Sequence, residues 1–140
     1  MSNTLGIIKP DAVRRKLVGQ IISRIERSGL ILRGIKTLHL SPEQAQQFYA
    51  VHESKPFYNG LVTFMTSGPI VVLVLGGPRA IDRWRDLMGK TDPAKAGYNT
   101  IRREFGTSIE KNVVHGSDGP ATAASEVAFF FKDDEILPKE

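Results

Sequence analysis

Apolar positions divide the chain into strands and helices before any residue is weighed for chemistry. Thr4 to Lys9, built on Leu5, Ile7 and Ile8, reads as a short strand that stops at Pro10. Val18, Ile21, Ile22 and Ile25 recur at helical spacing, and Gly29 follows as a stop. A helix therefore runs from Pro10 or Val18 to Ser28. Leu30 to Leu40 reads as a second strand, with Leu30 and Leu32 alternating at its start. Ser41-Pro42-Glu43-Gln44 is a helix start: Ser41 caps, Pro42 fits the first helical position, and Gln44 completes a capping box. That helix carries Ala45, Phe48, Tyr49 and His52 until Pro56 interrupts it. A further helix covers Asn59 to Thr66 and ends at Ser67-Gly68-Pro69. Ile70 to Leu75 is apolar throughout, the pattern of a strand buried on both faces. Pro78 opens the next helix, Ile81, Trp84, Leu87 and Met88 form its core stripe, and Gly89 ends it. Thr91 to Gly119 is largely irregular, with one helical turn near Thr100 to Phe105, and Val127 to Phe131 reads as the last strand.

This order is the β-α-β-β-α-β pattern of an α+β, ferredoxin-like sandwich: a four-stranded antiparallel sheet with extra helices before the third strand. Residues 1–140 show no repeat or linker and read as one domain with its own core. Apolar and charged fractions of 41% and 24% fit a soluble globular chain. The absence of cysteine excludes a disulfide framework, a thiolate nucleophile and a thiolate metal site, and suits the cytoplasm. No secretory signal is expected in Met1 to Asp11, and the longest aliphatic run is too short to span a bilayer. A net charge of +4 serves solubility or attracts phosphates, whether of nucleotides, nucleic acid or membrane.

No glycine-rich phosphate loop is present. Gly89-Lys90-Thr91 mimics the end of one, but Trp84 stands where its first glycine belongs. Side chains must therefore bind any phosphate. Lys9, at the end of an apolar strand, is either a snorkelling edge residue or a ligand contact. Arg85 flanks the core stripe of its helix and would otherwise be a solvated face. Phe57, in a loop beside Pro56, either stacks on a base or folds back on the core. His115 is the most informative residue. It lies between the apolar pair Val113-Val114 and the turn Gly116-Ser117-Asp118-Gly119, with Glu126 within chain reach. It is either a hydrogen-bonded turn residue or an imidazole held by a carboxylate on one nitrogen and free to attack with the other. Ser117 and Asp118 are placed to cap the helix that Pro120 helps start.

Several short segments, taken together and in order, carry a family signal. They are Ile8-Lys9-Pro10-Asp11-Ala12-Val13, Tyr49-Ala50-Val51-His52, Lys55-Pro56-Phe57-Tyr58, Ser67-Gly68-Pro69, Met88-Gly89-Lys90-Thr91-Asp92-Pro93, Thr100-Ile101-Arg102 and Asn112-Val113-Val114-His115-Gly116-Ser117-Asp118. From Thr4 to Phe131 the chain resembles nucleoside diphosphate kinases. The resemblance implies ping-pong transfer of a γ-phosphate from a nucleoside triphosphate to a nucleoside diphosphate, through a phosphohistidine at His115. Glu126 and Ser117 would orient the imidazole. Arg85, Arg102 and Thr91 would hold phosphates, with Tyr49 and His52 nearby. Lys9 and Asn112 would contact the ribose, and Lys9 is also implied in catalysis. Phe57 would stack on the base, in a slot formed with Leu61 and Ile109. Stacking of this kind implies broad base specificity. Mg²⁺ would arrive with the nucleotide, its water shell held by Asp118. The same resemblance implies a homo-oligomer, a tetramer or hexamer built from dimers. It implies no membrane partner, and nucleic acid binding only as a side role. A binding module of the same fold without transfer activity would leave the intact set of His115, Glu126, Lys9 and arginines unexplained.

Three positions depart from the family pattern. Gly119 stands for a serine, Gly97-Tyr98-Asn99 for Ala-Pro-Gly in a loop that helps pack subunits, and Gly76 for a glutamate.

Overall fold

A computed structural model describes residues 2–138 of the chain. Four strands form one antiparallel sheet: β1 (Ser2–Ile8), β2 (Ile31–Leu38), β3 (Ile70–Gly77) and β4 (Val114–Gly116), in the order β2-β3-β1-β4. The helices are α1 (Pro10–Arg14), α2 (Val18–Arg27), α3 (Pro42–Phe48), α4 (Tyr58–Met65), α5 (Ala80–Met88), α6 (Ile101–Phe105) and α7 (Pro120–Phe130). The α+β, ferredoxin-like architecture expected from the sequence is the one observed.

Burial follows from the period of two along the central strands. In β3, Val71, Leu73 and Leu75 join a core with Ile21, Ile25, Trp84 and Ile101, while Ile70, Val72 and Val74 face a second core with Ala45, Phe64, Met65 and Val127. Helices cover both faces, which is why β3 reads as an unbroken apolar run.

Local signals placed several boundaries. Ser41 Oγ accepts from the Gln44 amide and the Gln44 side chain accepts from the Ser41 amide, the expected capping box. Ser28 closes α2 and Gly29 follows at φ +89°. Of the two starts expected for the first helix, Val18 holds: α2 begins there, while Pro10 opens the separate α1, and a turn at Arg15 to Leu17, where Lys16 adopts φ +60°, parts them. Other expectations are corrected. Val127 to Phe131 is not the fourth strand: residues 127–130 end α7, and Phe131 follows in extended conformation. Ala123 and Val127 are its buried positions, a spacing of four that belongs to a helix. The fourth strand is the three-residue β4 around His115, with Ile7 opposite His115 and Ile8 opposite Val114. Ser117 and Asp118 do not cap α7 either; Gly119 holds the cap position, with no side-chain bond.

The Gly76 departure has a structural counterpart. A Cβ there would lie 2.6 Å from Arg33 Cδ. Glycine thus lets the buried Arg33 side chain cross the sheet to Asn3 Oδ1 (2.8 Å) and reach the Leu137 and Pro138 carbonyls.

Candidate active site

The edge strand β4 carries His115, and the turn before it decides how the strand is entered. The Val114 amide donates to the Asn112 carbonyl (2.9 Å), closing a three-residue turn with Val113 at φ +68°. A β-branched residue in this γ-turn is strained, at a cost of roughly 1–3 kcal/mol. The strand end and first helix hold it. The Lys9 amide donates to the Val113 carbonyl (2.8 Å), and the Val113 amide donates to Asp11 Oδ2 (3.2 Å). Lys9 Nζ donates to Asn112 Oδ1 (2.8 Å), and Asn112 Nδ2 donates to the Thr91 carbonyl (3.0 Å).

Past the turn, β4 packs closely on α5. A Cβ on Gly116 would fall 2.5 Å from Met88 Cε and 2.7 Å from Trp84, so only glycine fits. Trp84 Nε1 donates to the His115 carbonyl (3.2 Å) and fixes the backbone that carries the imidazole.

The His115 ring is largely enclosed. Its Nε2 lies 3.0 Å from Glu126 Oε1, which also accepts from Ser117 Oγ (2.7 Å). An ionised carboxylate only accepts, so the imidazole proton resides on Nε2 and the lone pair on Nδ1. Burial pushes the Glu126 carboxyl up. The hydrogen bond and charge of His115, the Ser117 hydroxyl and His52 outweigh burial and keep it below the ordinary carboxylate range. Phe48 and Tyr49 meet the imidazole edge-on, with ring centroids 5.7 and 6.4 Å away. The Tyr49 hydroxyl is buried without a partner. Burial, then the Glu126 charge, raises its pKa, so it remains a neutral donor.

His115 opens onto a cleft of about 740 Å³. Arg85, Thr91 and Arg102 are among the residues that line it. Arg85 is exposed, and its Nη1 donates to the Asp118 carbonyl (3.1 Å). Arg102 is buried. Its Nη1 and Nη2 donate to the Gly89 and Val114 carbonyls (2.9 and 2.7 Å), while Nε has no partner. Burial and Arg85 pull Arg102 down to about 10. Lys9 and Asn112 also line the cleft, with their side chains bonded together. Lys9 is buried, so it is not a snorkelling edge residue. Burial, then Arg102, brings it down to about 8 against the opposing pull of Asp11 and Glu110. Phe57, Leu61 and Ile109 line the cleft as apolar walls; Phe57 and Ile109 are exposed, as a stacking surface must be before it is covered. His52 packs against Phe57 (centroids 5.4 Å).

Every residue expected at the site therefore lines this cleft or, for Glu126 and Ser117, supports His115 from behind. Sequence reasoning missed Asp11, Phe48, Met88 and Glu110. Met88 reads as part of the core stripe of its helix, and Phe48 only as a position on the helix begun at Ser41. Only the apposition of distant segments gives them a place at the site.

Among the described residues, no three His, Cys, Asp or Glu side chains converge on a metal position. The carboxylates lining the cleft, Glu110 and Asp118, are both exposed. That donor set fits a hydrated Mg²⁺ carried in by phosphates, not an ion caged by protein.

Comparison with known proteins gives a consistent answer. The family model described as nucleoside diphosphate kinase matches residues 2–136. A nucleoside diphosphate kinase of Nitrosococcus oceani is 52% identical, over 99% of this chain and 97% of its own. Nucleoside diphosphate kinase 1 of Protochlamydia amoebophila is 56% identical, over 95% and 94%. Among solved structures, the Aquifex aeolicus nucleoside diphosphate kinase superposes with a TM-score of 0.95 at 42% identity, covering 97% of this chain and 99% of its own. The halophilic Halobacterium salinarum enzyme, solved with CDP, also reaches 0.95, at 40% identity and 99% and 93% coverage.

Proposed function

The chain belongs to the nucleoside diphosphate kinase family and is an enzyme of phosphoryl transfer between nucleotides; from this premise we propose that it works by a ping-pong mechanism with His115 Nδ1 as the phosphoryl acceptor. The supporting observation is the 3.0 Å bond from His115 Nε2 to Glu126, which commits one ring nitrogen and leaves the other as a nucleophile.

The Nδ1 lone pair attacks the γ-phosphorus of a nucleoside triphosphate. A P–N bond forms, the bond to the bridging oxygen breaks, and the nucleoside diphosphate leaves with that electron pair. In the second half, a terminal β-phosphate oxygen of another diphosphate attacks the same phosphorus and the P–N bond breaks. The proton on Nε2 stays between imidazole and Glu126 throughout, where the carboxylate stabilises the charge that develops on the ring.

Phosphoryl transfer passes through a loose transition state, so positioning and charge dominate. Arg85, Thr91 and Arg102 take the phosphates, and the neutral Tyr49 hydroxyl donates to the group on His115, with His52 beside it. Lys9 and Asn112 hold the ribose and aid the transfer from there. Phe57 stacks on the base against Leu61 and Ile109, which gives affinity with little base discrimination. Bound Mg²⁺ supplies charge neutralisation of the phosphate oxygens; Asp118 would hold its water shell.

One reaction tests this reading. The purified protein is incubated with γ-labelled ATP and Mg²⁺ in the absence of acceptor. An acid-labile, alkali-stable label that leaves on addition of GDP or UDP is expected, and His115→Ala should take none while remaining folded. Label retained in that variant would move the nucleophile elsewhere.

We further propose a homo-oligomer, a tetramer or hexamer built from dimers, because β2 is an edge strand with Ile31 and Ile35 exposed. No described helix is long and apolar enough to cross a membrane. We place the enzyme in the cytoplasm, where its nucleotide substrates are.

A further inference from the structure

The strained turn in front of His115 needs something to hold it, and the groups that do so are few. Val113 is fully buried, β-branched and at φ +68°, a conformation valine leaves readily for negative φ. Its carbonyl is taken by the Lys9 amide, a contact that any residue at position 9 other than proline would make. Its amide is taken by a side chain, Asp11 Oδ2. Asp11 lies in the first turn of α1, where an acid commonly sits exposed. Here it is only 5% exposed, and its Oδ1 has no partner. Placing a carboxylate in such surroundings is unfavourable unless its one bond is worth having, and a bond from an amide to an ionised acceptor is among the stronger ones.

We infer that Asp11 is a positioning residue for the transfer: by accepting the Val113 amide it holds the turn open and sets where β4 presents His115. The inference rests on the phosphohistidine reading above. If Val113 relaxes to negative φ, the chain entering β4 swings. Val114 then shifts against Ile8, and His115 moves out of line with Glu126 and the cleft. Of the substrate's contacts, Phe57, Arg85 and Thr91 lie on other segments, whereas Asn112 begins the turn and Arg102 holds the Val114 carbonyl. Loss of Asp11 should therefore lower kcat more than it raises KM.

Three variants decide the matter: Asp11→Ala, Asp11→Asn, and Asp11→Ala combined with Val113→Gly. The rate of phosphoenzyme formation, the nucleotide KM, thermal unfolding and hydrogen exchange of the Val113 amide are measured in each. Asp11→Ala should slow phosphorylation by roughly 10- to 100-fold, the effect of a small displacement of a reacting group. Asp11→Asn, which keeps an acceptor of the same shape, should recover most of the rate. Glycine holds positive φ without strain, so Val113→Gly should restore part of what Asp11→Ala loses. A folded Asp11→Ala protein phosphorylated at the parental rate would overturn the inference. So would an Asp11→Asn variant as slow as the alanine variant, or no recovery from Val113→Gly. Should Asp11→Ala fail to fold, Val113→Gly should restore folding on the same ground, and failure to do so counts against it. If the parent itself takes no label, the phosphohistidine reading fails. Val113 exchange then still decides what Asp11 does: faster exchange in Asp11→Ala supports the clamp, and unchanged exchange removes it.

Discussion

At the residue scale, the site depends on cations held out of water until phosphate arrives. Lys9 is the clearest case. Its folded pKa of about 8 lies below the ordinary 10.5 because burial, and then Arg102, disfavour the charge. Between these two values an unfolded chain binds a proton that the folded one has released. Stability should therefore rise as pH climbs from about 8 towards 10.5, by about 3 kcal/mol in all, since one pKa unit is worth about 1.4 kcal/mol. Activity should move the other way, with kcat/KM falling above pH 8 as the free enzyme loses the Lys9 charge. Unfolding free energies and kinetics of the parent and a Lys9→Met variant across pH 7 to 10 isolate the lysine; parallel profiles would show that Lys9 is not the group titrating. Arg102 differs because it also serves the fold. Removing it strips the Gly89 and Val114 carbonyls of their donor. Arg102→Ala should thus cost about 1–3 kcal/mol of stability in urea unfolding as well as lowering kcat. Full stability with reduced kcat would mean those carbonyls find other partners.

At the scale of elements, caps and close approaches explain both what was legible and what was not. The capping box at Ser41 is local chemistry, and Ser41→Ala should lower stability by about 1 kcal/mol. Gly119 is the complementary case. It caps α7 in extended backbone, and a Cβ there would meet nothing within 4 Å, so a side chain fits. Gly119→Ser should raise stability by about half a kcal/mol or less. Because α7 carries Glu126, which this change does not touch, the transfer rate should stay the same. Thermal melts of both variants check the pair, and a destabilised Gly119→Ser would show that the turn into α7 needs glycine. The apolar run at the end of α7 reads as a strand in the sequence because five consecutive apolar residues fit either period. Its helical character comes from packing Ala123 and Val127 on the sheet, together with Pro120 at the helix start.

At the scale of the whole molecule, the sheet brings the site together from separate stretches of chain. Its order, β2-β3-β1-β4, sets β1 beside β4, so that Lys9 and Asp11 meet Asn112 and Val113 across about a hundred residues. The same order leaves β2 at an edge. The C-terminal tail blunts part of it, where the Leu137 amide donates to the Arg33 carbonyl at the bulge between Leu32 and Gly34. Ile35, further along, stays exposed. If this edge joins copies of the chain, Ile35→Lys should weaken the assembly by about tenfold or more in Kd, a change of about 1.4 kcal/mol. Sedimentation over a concentration series measures this, and an unchanged distribution would place the contact on another face.

The chain by itself determined whatever depends on neighbours in sequence. Proline and glycine punctuation marked helix ends, the all-apolar run marked β3 as a strand covered on both faces, and ordered short motifs pointed to the family and to His115, Glu126 and the basic set. Tertiary structure alone decided what depends on contacts between distant residues. β4 is three residues long and exists as a strand only because β1 pairs with it. Valine at positive φ runs against its own preference, so nothing in Val113 announces the turn; Asp11 and Lys9 impose it from across the sheet. The burial of Lys9 and Arg102, which sets their charge behaviour, is likewise a property of what packs around them, and a side chain's environment is not written in its identity.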